Sequence, residues 1–444
     1  MMMTNKEQAF DRAKTVLLSA LVGNEQLNLS FDGEEMDYIR FNKAKLRQAT
    51  RVDDGQLSIC LMDGQKQITS TIQLTHSTDE SASLERLLSS MRQSLKGLPD
   101  DPYIVWPQVG ESSRAVHRGE LADGARFVED VLGQTGHLDV VGIQQSGTSF
   151  RGTANSKGLT HWFETDSFAT DYSIFHPNGK AVKGTFAGSH WDGQKVREKL
   201  NRQATILDRL GREPMKVPPG KYRVYLEPAA TADLVGMLSY YGVSESCIRQ
   251  GESPFVTLVG GGRKLSEKFS VTEDFTQGLV PRFNDNGELA ANKIEIFRKG
   301  TFTNSLIAPR TAAEYGLKSN GANAGESLRT PVAATGTLDA MQAIRALGTG
   351  IYLSNLHYLN WSDIQGARVT GMTRYACMWV ENGELIAPIV DMRFDESLFD
   401  CFGANLEDCT TEAELIPNTG SYGGRDLGGC VVPGMLIKDF TFTL

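Results

Sequence analysis

Alternation of apolar and polar residues at period two, punctuated by turn residues, leaves this chain few ways to fold. Apolar side chains recur at Leu27, Leu29 and Phe31, at Ile39 and Phe41, at Leu57, Ile59 and Leu61, and at Ile68, Ile72 and Leu74. Asp32-Gly33, Asp54-Gly55 and Asp63-Gly64 fall between these runs and read as turns. Strands of this kind bury one face only. They pair antiparallel and need helices or a second sheet to cover them.

Two helices flank the set. Phe10, Ala13, Leu17 and Leu21 share one face of a helix from about Lys6 to Val22. Leu84, Leu87, Leu88, Met91 and Leu95 form the stripe of a second helix, with Ser77 and Glu80 as a capping box and Gly97 and Pro99 beyond its end. The scheme then recurs. A helix over about 120–132 precedes strands at Val140–Ile143, Ser149–Asn155, Thr160–Phe168 and Asp171–Phe175, and a helix over Gln194–Leu210 closes the set. The three prolines of 211–220 cannot continue a helix, so that segment reads as a linker between an N-terminal domain, 1–210, and a C-terminal domain, 221–444. After a strand at 221–228 and a helix over Ala229–Tyr241, glycines, β-branched residues and aromatics dominate, with one further helix near Thr337–Leu347. The expected class is α+β: an N-terminal helix and antiparallel-sheet domain with repeated architecture, then a large twisted, mostly antiparallel sheet or partly closed barrel.

With 444 residues the chain exceeds one compact core, and its net charge of −9 argues against a nucleic-acid partner. No segment approaches the ~20 consecutive apolar residues of a membrane span. Charges at Lys6, Glu7, Asp11, Arg12 and Lys14 interrupt any signal-peptide core, so a cytoplasmic location is expected. The six cysteines are scattered without a CxxC pair and read as free thiols.

The usual catalytic signatures are missing. No two of the seven histidines stand at i, i+4 in an HExxH zinc arrangement, and no GxSxG elbow is present. Gly260-Gly-Gly-Arg263 lacks the Lys-Ser/Thr and helix of a phosphate loop and reads as a turn between strands. His357 with Cys377 is the weakest of the enzyme readings, for want of a recognisable pattern.

One block is unusual. Residues 350–398 crowd Asn355, Asn360, Arg368, Thr370 and Arg374 into aromatic-rich, strand-like sequence. Period two sets Arg368 and Thr370 on one face of a strand that runs on through Cys377 and Trp379, and Glu381-Asn-Gly-Glu384 reads as a hairpin of the Asn-Gly type. Two readings stand. The polar face lines a groove for an extended peptide, or the sheet simply has one wet face.

This block resembles the TldD/PmbA family, also called TldD/TldE and once described as modulators of DNA gyrase. The resemblance lies in Tyr352–Leu356, Thr370-Gly371 and Trp379–Ile386. Leu226-Glu-Pro-Ala-Ala230, Lys264–Lys268 and the ending from Ser421-Tyr-Gly-Gly-Arg425 through Pro433 to Phe442 are also similar to family segments. The N-terminal half is similar only in its succession of elements. TldD-type members are zinc metallopeptidases with an HExxxH helix and a distant cysteine ligand. PmbA/TldE-type members lack that motif and pair with TldD.

The resemblance implies that the corresponding helix here is Ala229–Tyr241, with Gly236, Met237 and Tyr241 where His, Glu and His would stand. None of the three serves as zinc ligand or general base there. The chain is then expected to be a non-catalytic PmbA/TldE-like subunit, with no cofactor of its own and zinc in a TldD-like partner. The pair would act on unfolded peptides or small proteins. Asn355, Tyr358, Arg368, Thr370, Arg374 and Trp379 are the expected groove or interface residues, and Cys430 a bystander. The alternative is a homodimeric peptide-binding or scaffold protein with no peptidase role.

Overall fold

Strand length is where the N-terminal half departs most from its sequence pattern. The computed structural model describes residues 3–74 and 80–444, so Ser77 of the expected capping box lies outside the described residues. Strands β1 (Gln26–Asn42), β2 (Lys45–Asp63) and β3 (Lys66–Gln73) form an antiparallel meander. Asp32-Gly33 and Asp54-Gly55, expected as turns, lie inside β1 and β2, and Gly33 faces Gly55 across the ladder. The reason is the Phe31 ring. A Cβ on Gly33 would sit 2.9 Å from it and one on Gly55 2.7 Å, so glycine here makes room for an aromatic ring and does not bend the chain. Only Asp63-Gly64 turns, with Gly64 at φ 57° and Asp63 opposite Lys66.

The second set repeats the correction. The four expected strands fuse into β5 (Asp139–Asn155) and β6 (Thr160–Phe175), while β4 (Ser113–His117) and β7 (Ala181–Gly188) escaped the sequence pattern. The sheet runs β3-β2-β1-β5-β6, with β4 parallel to the start of β6 and β7 antiparallel to its end. Helices α1 (Asn5–Ser19) and α2 (Glu80–Leu95) bracket the first meander. Helix α3 (Gly124–Phe127), extended by a π turn over Val128–Leu132, and α4 (Gly193–Leu210) bracket β5 to β7. The succession of helix, three strands and helix therefore occurs twice.

The two faces of this sheet differ. One carries Leu29, Phe31, Phe150 and Trp162, which pack against Phe10, Leu17, Leu84 and Leu88 of α1 and α2. Toward the far end, Phe41, Phe168, Tyr172 and Ile174 pack with Val196, Leu200 and Leu207 of α4. The opposite face carries Glu34, Arg151, Thr153, His161, Thr165 and Ser167, and is covered by segments of the C-terminal half. The Thr165 hydroxyl donates to the Gly278 carbonyl at 2.9 Å, His161 Nε2 lies 3.0 Å from the Gly287 carbonyl, and the Arg425 backbone N–H donates to Glu34 at 2.7 Å.

The C-terminal half holds a 13-stranded sheet. Its strands are β8 (Gly220–Leu226), β9 (Val271–Asp274), β10 (Lys293–Arg298), β11 (Thr301–Phe302), β12 (Pro331–Ala333), β13 (Gly350–Leu353), β14 (Asn355–Asp363), β15 (Arg368–Arg374), β16 (Met378–Glu381), β17 (Glu384–Pro388), β18 (Arg393–Ser397), β19 (Leu406–Pro417) and β20 (Gly429–Phe442). Long β20 is the spine and pairs with β8, β12, β18 and β19. Pairing is mostly antiparallel, with β8–β13 and β12–β20 parallel. Of the two expected forms the open twisted sheet is the one found: β11 and β17 end its main run, and it does not close into a barrel. The Asn-Gly hairpin joins β16 to β17 as expected, with Asn382 at φ 52° and Gly383 at φ 79°.

Helix α4 also packs on this sheet. Tyr225, Tyr352, Met378, Val380 and Leu436 belong to the same hydrophobic cluster as Val196, Leu200 and Leu207. In the 211–219 segment, the Met215 N–H donates to Pro388 at 2.8 Å and its carbonyl accepts from Val390 at 2.9 Å.

Candidate functional site

Helix α5 (Pro228–Gly236) follows β8 directly, with Pro228 in the first turn where no N–H is needed. Ala230, Leu234, Val235 and Leu238 are fully buried. The expected helix to Tyr241 stops short. One tight 3-10 turn, Met237–Ser239, replaces it after Gly236, and Tyr241 takes φ 71°. A Cβ on Gly236 would meet nothing within 4 Å, Met237 is buried, and the Tyr241 ring stacks on Tyr240 at 4.6 Å. These three residues offer no nitrogen or carboxylate toward a common point. Among the described residues no group of three or more His, Cys, Asp or Glu is placed to hold a metal. The residues at this helix therefore do not fit a zinc ion.

Asp233 is the polar group that α5 does commit. Its carboxylate accepts the Leu356 N–H at 2.9 Å, fixing the start of β14 against the helix. Burial pushes its carboxyl up to about 7, against the lowering effect of that hydrogen bond.

Strands β14 and β15 form an antiparallel ribbon, joined to the rest of the sheet where β15 pairs with β18, that gathers five of the six expected groove residues. Asn355 stands opposite Arg374, His357 opposite Met372, Asn360 opposite Thr370 and Asp363 opposite Arg368. Paired residues share a face, and Val369, Gly371 and Thr373 point the other way into the core. Arg368 donates to the Asp395 carbonyl at 3.1 Å and lies 3.5 Å from its carboxylate. The Thr370 hydroxyl donates to the Phe394 carbonyl and accepts from Arg393, each at 3.0 Å. Arg374 is exposed, its guanidinium 5.4 Å from the Tyr375 ring. Tyr358 sits in a bulge of β14 at φ 59° and is 84% exposed.

Trp379 does not join them. The expected continuous strand breaks at Tyr375, which takes φ 62°, and β16 pairs with β13 and β17 instead. There Trp379 is half-buried, edge-on to Tyr222 at 6.0 Å. Trp361, opposite Val369 on the core-facing side, is the aromatic that anchors the β14–β15 pair. Its indole N–H donates to the Tyr240 carbonyl at 2.8 Å, tying the ribbon to the end of α5. A signal existed: polar residues at 355, 357, 360 and 363 depart from period two, as a bulge requires.

The remaining candidates separate. His357 is exposed on the ribbon, whereas Cys377 is buried, its thiol directed at the Arg374 and Asn355 carbonyls at 3.3 and 3.7 Å and pushed up to about 11 by burial. They form no dyad. Burial, then Glu273 and Asp233, raise the Cys430 thiol further still, so it stays protonated. The Gly260–Arg263 loop is not a turn between strands. It leaves a 3-10 segment over Val256–Gly261, and Arg263 lies 4.1 Å over the Phe399 ring.

Two facing sheets, with a helix at the head of the second, define a class of protein shared with a metallopeptidase family. Residues 219–444, just over half of the chain, match the model of the PmbA/TldA metallopeptidase C-terminal domain. The chain belongs to the TldD/PmbA family. No curated protein matches it in sequence. Solved structures share its fold at low identity. TldE from Thermococcus kodakarensis aligns with a TM-score of 0.77 at 13% identity, over 98% of this chain and 100% of that one. A candidate modulator of DNA gyrase from Bacteroides thetaiotaomicron gives 0.75 at 16% identity over 100% of both chains. Another, from Thermotoga maritima, gives 0.73 at 14% identity over 98% and 100%. At these identities the likeness is one of fold.

Proposed function

We propose that the chain is a non-catalytic, PmbA/TldE-like subunit of a cytoplasmic zinc metallopeptidase complex. A TldD-like partner supplies the metal, and the complex acts on unfolded peptides or small proteins. One observation carries this reading. In a member of a metallopeptidase family, the end of α5 and the turn after it carry Gly236, Met237 and Tyr241, none of which can hold zinc or act as its general base.

The β14–β15 ribbon is the surface offered to the partner or to an extended peptide. Tyr358 and Met372 are exposed on it, Tyr240 and Tyr241 lie beside it, and Arg374 adds charge at its end. Aromatic and arginine side chains are the usual anchors of such contacts. Trp379, half-buried on β16 beside Tyr222, lies outside this surface.

The isolated chain, purified and assayed for zinc and peptide cleavage, should show neither. With a TldD-like chain added, a stable complex should form and cleave. Stoichiometric zinc with chelator-sensitive cleavage by the isolated chain overturns the proposal. A stable homodimer that binds no TldD-like chain points to the scaffold reading instead.

A further inference from the structure

A cleft of about 920 Å³ opens where α4 faces β19 and the head of α5, a size suited to a small ligand. It lies apart from the ribbon and the open side of α5. Nothing in the proposed function uses it.

Its charged groups are unevenly committed. Asp192 caps α4 through the Gln194 and Lys195 N–H groups, and Glu198 accepts from Gln194. Lys199 reaches across the cleft to pair with Glu414 of β19. Arg202, one turn further along α4, lines the cleft and has no ion-pair or hydrogen-bond partner among the described residues. Glu227, the residue before Pro228, also lines the cleft. Burial first, and Glu414 next, push the Glu227 carboxyl up, while a hydrogen bond with Tyr352, Lys199 and Arg202 pull the other way. The net shift of the Glu227 carboxyl is upward, toward the neutral acid.

The floor beside these groups is aromatic. The Tyr225 and Tyr352 rings stack at 6.2 Å, and both line the cleft. Ile344 and Met341, the latter 73% exposed, stand at the mouth. A guanidinium without an ion-pair partner among the described residues, with an apolar and aromatic surface alongside, is complementary to one kind of ligand.

We infer that this cleft binds a carboxylate carried on an apolar or aromatic body, with Arg202 holding the carboxylate in a two-pronged contact and the body resting on Tyr225, Tyr352 and Met341. Such a carboxylate can belong to a small free acid or to the end of a peptide with an apolar last residue. The site needs neither zinc nor a partner, so it is tested on the isolated full-length chain and stands or falls independently of the proposed complex.

The experiment is calorimetric titration with N-acetylphenylalanine, its C-terminal amide, and a tetrapeptide ending in phenylalanine with a free carboxylate. One N-acetylphenylalanine should bind per chain, and the amide about tenfold or more weaker, because a charge-assisted bidentate contact is lost. Arg202 is exposed, so Arg202→Gln should keep the melting temperature while weakening the acid by about tenfold. Arg202→Lys should fall between, keeping charge but not the fork. Lys216→Gln, outside the cleft lining, should change nothing. A tetrapeptide tighter than N-acetylphenylalanine assigns the site to a peptide end, and an equal or weaker one to a free acid. Equal binding of acid and amide, unchanged binding by Arg202→Gln, or no binding of either acid overturns the inference.

Discussion

The two faces of the N-terminal sheet are made of the same strands and held by different physics. The helix-covered face is aromatic and continuous: Phe10, Phe31 and Trp162 stack with ring separations of 5.6 to 5.8 Å. Every one of these residues lies in the N-terminal half, and the driving force is removal of apolar surface from water. The other face is polar. Glu34 is buried there, and it accepts from the Tyr38 hydroxyl at 2.9 Å and from the Arg425 N–H at 2.7 Å. Arg425 comes from the far end of the chain, and burial pushes its guanidinium down to about 10. The first face stabilises by area and tolerates no gap. The second stabilises through paired polar groups such as Glu34, and so specifies which loop docks on it.

The largest expected effect falls on the apolar face. Trp162→Ala removes the ring that touches Phe10, Phe31 and Phe150 and should cost about 3–5 kcal/mol in urea denaturation. A loss below about 1 kcal/mol would mean that the face collapses around the gap and is not the close-packed unit described. The polar face should respond less, and to chemistry more than to size. Glu34→Ala strands the Tyr38 hydroxyl and the Arg425 N–H and should cost about 1–3 kcal/mol, whereas Glu34→Gln keeps an acceptor and should cost less. Equal effects of Ala and Gln would show that water already serves these donors.

A third effect is one of pH, and it extends the comparison to a carboxylate with a single donor. Asp233 is pushed up to about 7 in the folded chain, by burial, above the value of about 3.9 for an unfolded aspartate. The folded state therefore holds the proton more tightly. The stability this adds is complete below about pH 4 and is lost as pH rises through about 7. Asp233→Asn keeps an acceptor for the Leu356 N–H and removes that slope. Urea midpoints between about pH 5 and 8 should fall for the parent chain relative to the variant, and parallel profiles would show Asp233 ionised throughout.

Much of the fold was legible because apolar periodicity is a local property. The stripe of α2, the face of α1 and the Asn382-Gly383 hairpin follow from residue types and spacing alone. The misreadings share one cause. Asp32-Gly33 and Asp54-Gly55 resemble turns because glycine and aspartate favour them, but the Phe31 ring that needs those glycines becomes visible only once β1 and β2 are paired. Trp379 and Arg374 are five residues apart in a strand-like run, yet Tyr375 breaks it and sends them to different neighbours. At the site, the residue types on α5 were readable against the family pattern. Arg202, Glu227 and Tyr352 carried no joint signal, since they come from three separate elements.

By itself, then, the sequence determined a mixed fold of antiparallel sheets with amphipathic helices, and a helix that follows the strand at 221–228. Period and residue type suffice for both. Tertiary structure decided which strands fuse, which face of the first sheet receives the 419–428 loop, and where Arg202 meets Glu227 and two tyrosines. Those outcomes depend on contacts between residues hundreds of positions apart, and on burial that exists only after both sheets have formed.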